Sequence, residues 1–450
     1  MARQEKRKKP AVRHGGLFAA CIGVIAFAIF YYAALTDLNN VFKVPLMLAI
    51  LVGSGLAMQA LAGLEGSYGL LVFRGERGFG AMRYAANKFS HAARSLADFG
   101  LSLGFGVIYS YYLFGRKDFK KFASHAIAVT AFFTLLSTNK GTGFSPDLFF
   151  TLNVAFGLMA TAVQSLVMQG AKILTTGDAV AGATLIIPGV TIPWEGIIAL
   201  FIAVAVHEIA HGILCMVEKL EVKNSGAVLF GVLPVAAFVE PNEAKMDELH
   251  IHQKRRILIA GITSNFFVFI LFLLLAWTTT AGMSGYHLQP TIAKVLDTGT
   301  AKGVLEANSV LLAVNGAPVG SIADFAAQMK KVPEGGIAKL STSAGEKAVT
   351  AGKDHKIGIQ VEDRPAQGDS FAYGIMAFFA SVFGLTSLIN FALATINLLP
   401  VFFTDGYRLF YEEARLLFPS KNDKAAKGIA MAAGIVSIAL ILLNFIPNFR

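Results

Sequence analysis

Long apolar runs separated by short basic stretches set the pattern of this chain. The runs lie at Leu17–Leu35, Val44–Leu64, Phe99–Phe114, Phe122–Ser137, Leu148–Met168, Gly196–Met216, Ile257–Trp277, Phe371–Leu399 and Gly428–Ile446. They predict nine helices of about the twenty residues that cross a hydrocarbon core, the third and fourth being short. The first run, about nineteen residues, is longer than the apolar region of a signal peptide, so it reads as a retained span. Basic residues cluster beside these runs, at Met1–Lys9, Arg74–Arg94, Lys254–Arg256 and Arg408–Lys427. On an alternating count all four fall on one side, which the bias of Lys and Arg toward cytoplasmic loops makes the inside. The N-terminus is then cytoplasmic. Arg116–Lys121 falls outside on the same count, against that bias.

Three stretches break the pattern. Thr184–Ile192 and Val222–Val239, one on each side of the run at Gly196–Met216, are β-branched and punctuated by glycine. Each reads either as a membrane-associated strand or hairpin or as a loop dipping into the interface. Between Gly285 and Arg364 the hydropathy drops, and the length suits one small soluble domain. There Asn315-Gly316 predicts a hairpin turn, and Ser321 is placed to cap a helix running to Lys330. This segment resembles a PDZ domain of the kind attached to proteases, and the count places it on the extracytoplasmic side. The expected domains are thus 1–178 (basic tail and accessory spans), 179–284 (first half of a core), 285–365 (PDZ-like) and 366–450 (second half).

Composition agrees with the pattern. Of 450 residues 55% are hydrophobic and 15% charged, where a soluble protein carries about a quarter charged. The expected fold is an α-helical polytopic protein of the cell membrane, with short β-hairpins and one small α/β domain. The net charge of +10 lies beside the spans rather than on one soluble face, which argues against a nucleic-acid partner. Cys21 and Cys215 both lie in apolar runs and suggest no disulfide framework. Cys215 sits one turn beyond His211, where a packed hydrophobe suits it better than a metal.

His207-Glu208-Ile209-Ala210-His211 carries the chemistry. On a helix this spacing puts two imidazoles on one face for a single Zn²⁺ and leaves Glu208 to take a proton from the attacking water. Such groups inside hydrocarbon are costly and mark a functional site. A catalytic zinc needs a third ligand. Asp405, at the edge of an apolar run interrupted by Pro400, offers one, although Asp-Gly pairs are commonly turn residues. His250, His252, His287 and His355 read as surface residues.

Together these segments resemble the site-2 protease family of intramembrane metalloproteases. The likeness rests on His207–His211, on Gly261-x-x-x-Asn265, and on Asn397-x-x-Pro400-x-x-x-x-Asp405-Gly406 with the PDZ-like insertion before it. It covers Thr184 to the C-terminus. Thr404 departs from a leucine that many members have, next to the ligand. The resemblance implies one zinc held by His207, His211 and Asp405, with Glu208 as base and Asn397 on the substrate backbone or oxyanion. It implies a single-span membrane protein as substrate, and the PDZ-like domain adds a possible peptide ligand. For Asn265 the plainer reading is a polar residue joining helices. An exposed strand edge near the zinc could pair with an unwound substrate helix. A transporter or metal carrier using the same residues as a transit site is the alternative, though no internal repeat supports it.

Overall fold

The computed structural model describes residues 15–36, 38, 40–75, 78–138, 148–175, 191–365 and 369–449. Most of the Thr184–Ile192 stretch and the basic tail lie outside them. The chain forms two compact units, Met1–Leu273 with Val382–Arg450, and Leu274–Ser381.

In chain order, α1 (Gly15–Leu35) and α2 (Asn40–Leu61) lead to the strands β1 (Gly66–Ser67) and β2 (Leu70–Gly75). Helices α3 (Phe79–Lys88), α4 (Ser90–Ser110), α5 (Phe119–Thr138), α6 (Leu148–Thr175) and α7 (Gly196–Val217) follow. Then come β3 (Val222–Phe230), β4 (Leu233–Pro241), the short α8 (Glu243–Asp247) and the long α9 (Ile251–Met283). The second unit holds β5 (Leu288–Val295), β6 (Leu311–Val314), β7 (Ala317–Pro318), α10 (Ile322–Met329), β8 (Ile337–Thr342), β9 (Gly345–Thr350) and β10 (Ile359–Pro365). Finally α11 (Ser370–Leu398), α12 (Asp405–Leu417) and α13 (Lys424–Phe445) complete the chain.

Among the described residues seven helices are long and apolar enough to cross a membrane: α1, α2, α6, α7, α9, α11 and α13. This is a multi-pass membrane protein. Side chains such as Val24, Ile127 and Leu174 are 70–72% exposed, which suits hydrocarbon and not water. The expected third and fourth spans correspond to α4 and α5, which are helices outside that set of seven.

α4 is not a straight rod. Its Ser102 and Ser110 hydroxyls meet at 3.0 Å, although eight residues of straight helix would hold them about 12 Å apart. The helix turns sharply at Gly106 (φ 81°, ψ −175°), a backbone conformation that suits glycine. The break packs against a similar one in α6 at Gly157 (φ 70°). Beyond it the chain comes back far enough for Lys121, at the start of α5, to pair with Asp98 near the start of α4. Asp98 also takes Arg256 at 2.7 Å, while Glu218 takes Arg94 at 2.9 Å and Arg256 at 3.4 Å. Lys121 therefore shares a charged layer with Lys254–Arg256, and the expected opposite placement of Arg116–Lys121 is corrected. Burial works against the Asp98 carboxylate, but the hydrogen bonds and charges of Arg256 and Lys121 prevail and hold it below its usual range. Arg255 bonds Glu413 at 2.5 Å and Lys254 bonds Glu412 at 3.4 Å, which ties α9 to α12.

β3 and β4 form an antiparallel hairpin, so the second glycine-punctuated stretch is a pair of strands. Unexpectedly, β2 from the accessory region pairs with β3 (Leu70 with Phe230, Gly75 with Ser225), giving the order β1-β2-β3-β4 with β4 at one edge. In the second unit Asn315-Gly316 turns β6 into β7, both residues having positive φ (49° and 79°). The Ser321 hydroxyl caps α10 by accepting the Asp324 amide at 3.1 Å. The sheet β7-β6-β8-β9 and the β10-β5 pair enclose a core that includes Ile292, Leu311, Phe325 and Leu340.

Candidate metal centre and active-site cleft

One turn of α7 separates His207 from His211, and their Nε2 atoms approach to 3.2 Å. Asp405 Oδ2 lies 3.0 Å from each. These three residues are the group able to hold a metal ion among the described residues, and their candidate ligand atoms all lie within 4.8 Å of one another. Separations of 3.0–3.2 Å approach the ~3.4 Å edge of a tetrahedron with about 2.1 Å bonds. The donor set therefore fits zinc.

The distant carboxylate arrives through a local stop. α11 ends at Leu398 just before Pro400, whose ring cannot continue a helix. Thr404, 1% exposed, then caps α12: its hydroxyl donates to Leu399 and Val401 carbonyls at 2.6 and 2.8 Å and accepts the Tyr407 amide at 3.3 Å. Asp405 is thus the first residue of a helix, where backbone N–H groups favour an anion. The departure at Thr404 is the device that aims the ligand. Gly406 lies against the Leu398 and Asn397 carbonyls, so close that a Cβ would come within 2.6 Å of both.

Both imidazoles are oriented from behind. The Nδ1 of His211 lies 2.8 Å from the Ile257 carbonyl, which can only accept, so that nitrogen carries the proton and Nε2 is left as a ligand. The Nδ1 of His207 lies 2.8 Å from Asn265 Oδ1. The Asn265 amide nitrogen donates to the Ala203 carbonyl at 3.0 Å and to Asn390 Oδ1 at 2.9 Å, so its oxygen faces His207. Asn390 is in turn fixed by the Thr386 carbonyl at 2.7 Å. Asn265 does join α7, α9 and α11, as read from sequence, but it also sets the tautomer of a candidate ligand. Gly261, one turn earlier on the same face, allows the approach: a Cβ there would lie 2.4–2.5 Å from both imidazoles. The i, i+4 spacing of Gly261 and Asn265 was the available signal. Asn390 and the Ile257 carbonyl had none.

Glu208 accepts the Val239 amide at 2.9 Å. Val239 lies on β4, opposite Ser225 of β3, and this amide faces the unpaired edge. Glu208 and Val239 line a cleft of about 1020 Å³, walled also by α3 and by β2 from the accessory region. Asn397 is half-buried and its side chain donates to the Leu393 carbonyl of its own helix at 3.1 Å. Cys215 is 1% exposed within the core. His250, His252 and His287 are exposed as expected. His355 is half-buried, with Nδ1 2.8 Å from the Val332 carbonyl.

A histidine pair on a helix able to cross a membrane, with a carboxylate at the start of α12 beside it, is the donor set of a membrane metallopeptidase. Residues 195–442 match the model of peptidase family M50, and the chain belongs to that family. It is also 31% identical over 248 residues to an uncharacterized protein of Methanocaldococcus jannaschii, covering 53% of this chain and 62% of that relative's length. The matched residues contain the whole candidate centre and exclude α1 to α6.

Proposed function

We propose that this chain is an intramembrane zinc endopeptidase of the site-2 type, cutting single-span membrane proteins within or beside their spans during regulated proteolysis. The observation that carries the reading is the convergence of His207 Nε2 and His211 Nε2 with Asp405 Oδ2, which lies 194 residues beyond His211 in sequence, next to a carboxylate that faces an open strand edge. One zinc per chain would be held by these three residues and would supply Lewis acidity toward the scissile carbonyl. Glu208 Oε2 would leave the Val239 amide, take the proton of the attacking water and deliver it to the departing amine nitrogen. The vacated β4 edge would pair with an unwound substrate segment. Asn397 would turn from the Leu393 carbonyl to the substrate backbone. Residues 285–365 would act as a PDZ-like domain taking a peptide end on the extracytoplasmic side, with the N-terminus cytoplasmic.

The test measures zinc content and cleavage of a membrane-spanning peptide by wild type and Glu208→Gln. Loss of cleavage by about 10²–10⁴-fold with zinc retained is the expected result for a general base. Undiminished cleavage would remove Glu208 from the mechanism.

A further inference from the structure

Outside the metal centre, a cavity of about 690 Å³ opens between the starts of α4 and α5 and the start of α9. Arg94, Lys120, Lys121 and Arg256 line it, together with the imidazoles of His91 and His125. Of these only Arg256 lies within the family match. The opposing carboxylates are already engaged. Asp98 is shared by Lys121 and Arg256, Glu218 by Arg94 and Arg256, and Asp118 caps α5 by accepting the Lys121 amide at 3.0 Å. Lys120 and His91 are exposed at the rim. Among the described residues Lys120 makes no side-chain ion pair or hydrogen bond.

The floor is built and rigid. His125, 8% exposed, holds Nδ1 2.9 Å from the Ser102 hydroxyl and sits edge-on between Phe99 and Phe114. Lys121 Nζ lies 4.7 Å from the Phe114 ring centroid. The Ser95 hydroxyl adds a neutral donor to the wall, while the Ser124 hydroxyl donates to the Lys121 carbonyl at 2.8 Å. Cations on several elements, with the Ser95 hydroxyl, make a concave receptor for a compact tetrahedral anion. Beside it in sequence, the apolar side chains Leu96, Phe119 and Ile127 are 45%, 65% and 70% exposed, which suits contact with the chains attached to such an anion.

We infer that this cavity binds a phosphate group, presented by an anionic phospholipid headgroup or as the free ion. Lys121 and Arg256 face inward and set the positive floor, while Lys120 at the rim closes on the ligand. The site is separate from the peptidase reading and stands or falls without it.

The test compares lipid retention by the detergent-purified chain, counted by native mass spectrometry, for added phosphatidylglycerol and phosphatidylcholine. A parallel arm measures thermal stability with inorganic phosphate against chloride at equal ionic strength. Phosphatidylglycerol should bind in preference, and Lys120→Glu should weaken it about tenfold, the loss of one charge-assisted contact. Lys120→Arg should keep the affinity. Ser124→Asp, at another exposed position of the same wall, should give the loss independently. Retention of the lipid without any phosphate effect assigns the headgroup, and phosphate stabilisation without lipid preference assigns the free ion. Equal retention of both lipids with no phosphate effect, or unchanged binding in both charge variants, overturns the inference.

Discussion

The metal centre and the charged layer at the start of α4 handle buried polarity in opposite ways. Around His207 and His211 each rear nitrogen is committed to one fixed oxygen, and the front faces a single carboxylate. Around Asp98 whole charges are pooled, so that one carboxylate serves two cations and one arginine serves two carboxylates. The first arrangement tolerates no substitution because geometry is what it supplies. The second is redundant, and what it supplies is cohesion between α4, α5, α7 and α9. Damage to the centre should therefore remove activity from a folded chain. Damage to the layer should lower stability and leave the activity of each folded molecule in place.

The largest expected effect is at the ligands. His211→Ala should bring zinc content close to zero and abolish peptide cleavage, while the detergent-solubilised chain still elutes as the folded species. Retained zinc by elemental analysis would show that the ion sits elsewhere. Gly261→Ala comes next, because its methyl group would meet both imidazoles. It should lower metal affinity at least as much as Asn265→Leu, which removes an outer contact and should cost about 10–100-fold. Chelator competition measures both, and full affinity in either variant would break the contrast drawn here.

Asp98→Asn should leave cleavage per folded molecule unchanged and lower stability by about 1.5–3 kcal/mol, the range for hydrogen bonds to charged groups. The folded-state pKa of Asp98 is lowered, so its contribution is complete above the unfolded carboxylate range and fades as pH falls through the folded value. The melting-temperature gap between wild type and Asp98→Asn should accordingly hold steady near neutrality and narrow below about pH 4. A gap independent of pH would assign the effect to packing. Smallest is Thr404→Val, which removes a helix cap for about 1 kcal/mol. It sharpens the comparison because it touches the centre only through the aim of Asp405, so a slight fall in metal affinity should accompany the stability loss.

Legibility followed the range of the interaction. Most of the apolar runs appear as helices near their expected limits, although α4 starts nine residues before its run and α9 extends six residues beyond its run at each end. Asn315-Gly316 and Ser321 act as read, since turn and cap chemistry is decided within a few residues. The run at Phe99–Phe114 misled because a glycine inside an apolar stretch leaves no mark on hydropathy, whereas Gly106 reverses the direction of the chain. The union of β2 with β3 joins distant residues, for example Leu70 and Phe230. No periodicity encodes such a pairing. Residues of the accessory region thereby became a wall of the cleft that Glu208 lines.

Sequence alone determined the membrane class and the pairing of His207 with His211, because a helical turn of 3.6 residues places i and i+4 side by side whatever surrounds them. It also marked Asp405 as a ligand, through motif likeness and not through distance. Only the tertiary structure decided that Asp405 reaches the imidazoles, that Asn265 and the Ile257 carbonyl fix their tautomers, and that Glu208 rests on the β4 edge. Those contacts depend on how α7, α9, α11 and α12 pack, and packing is settled by the whole chain at once.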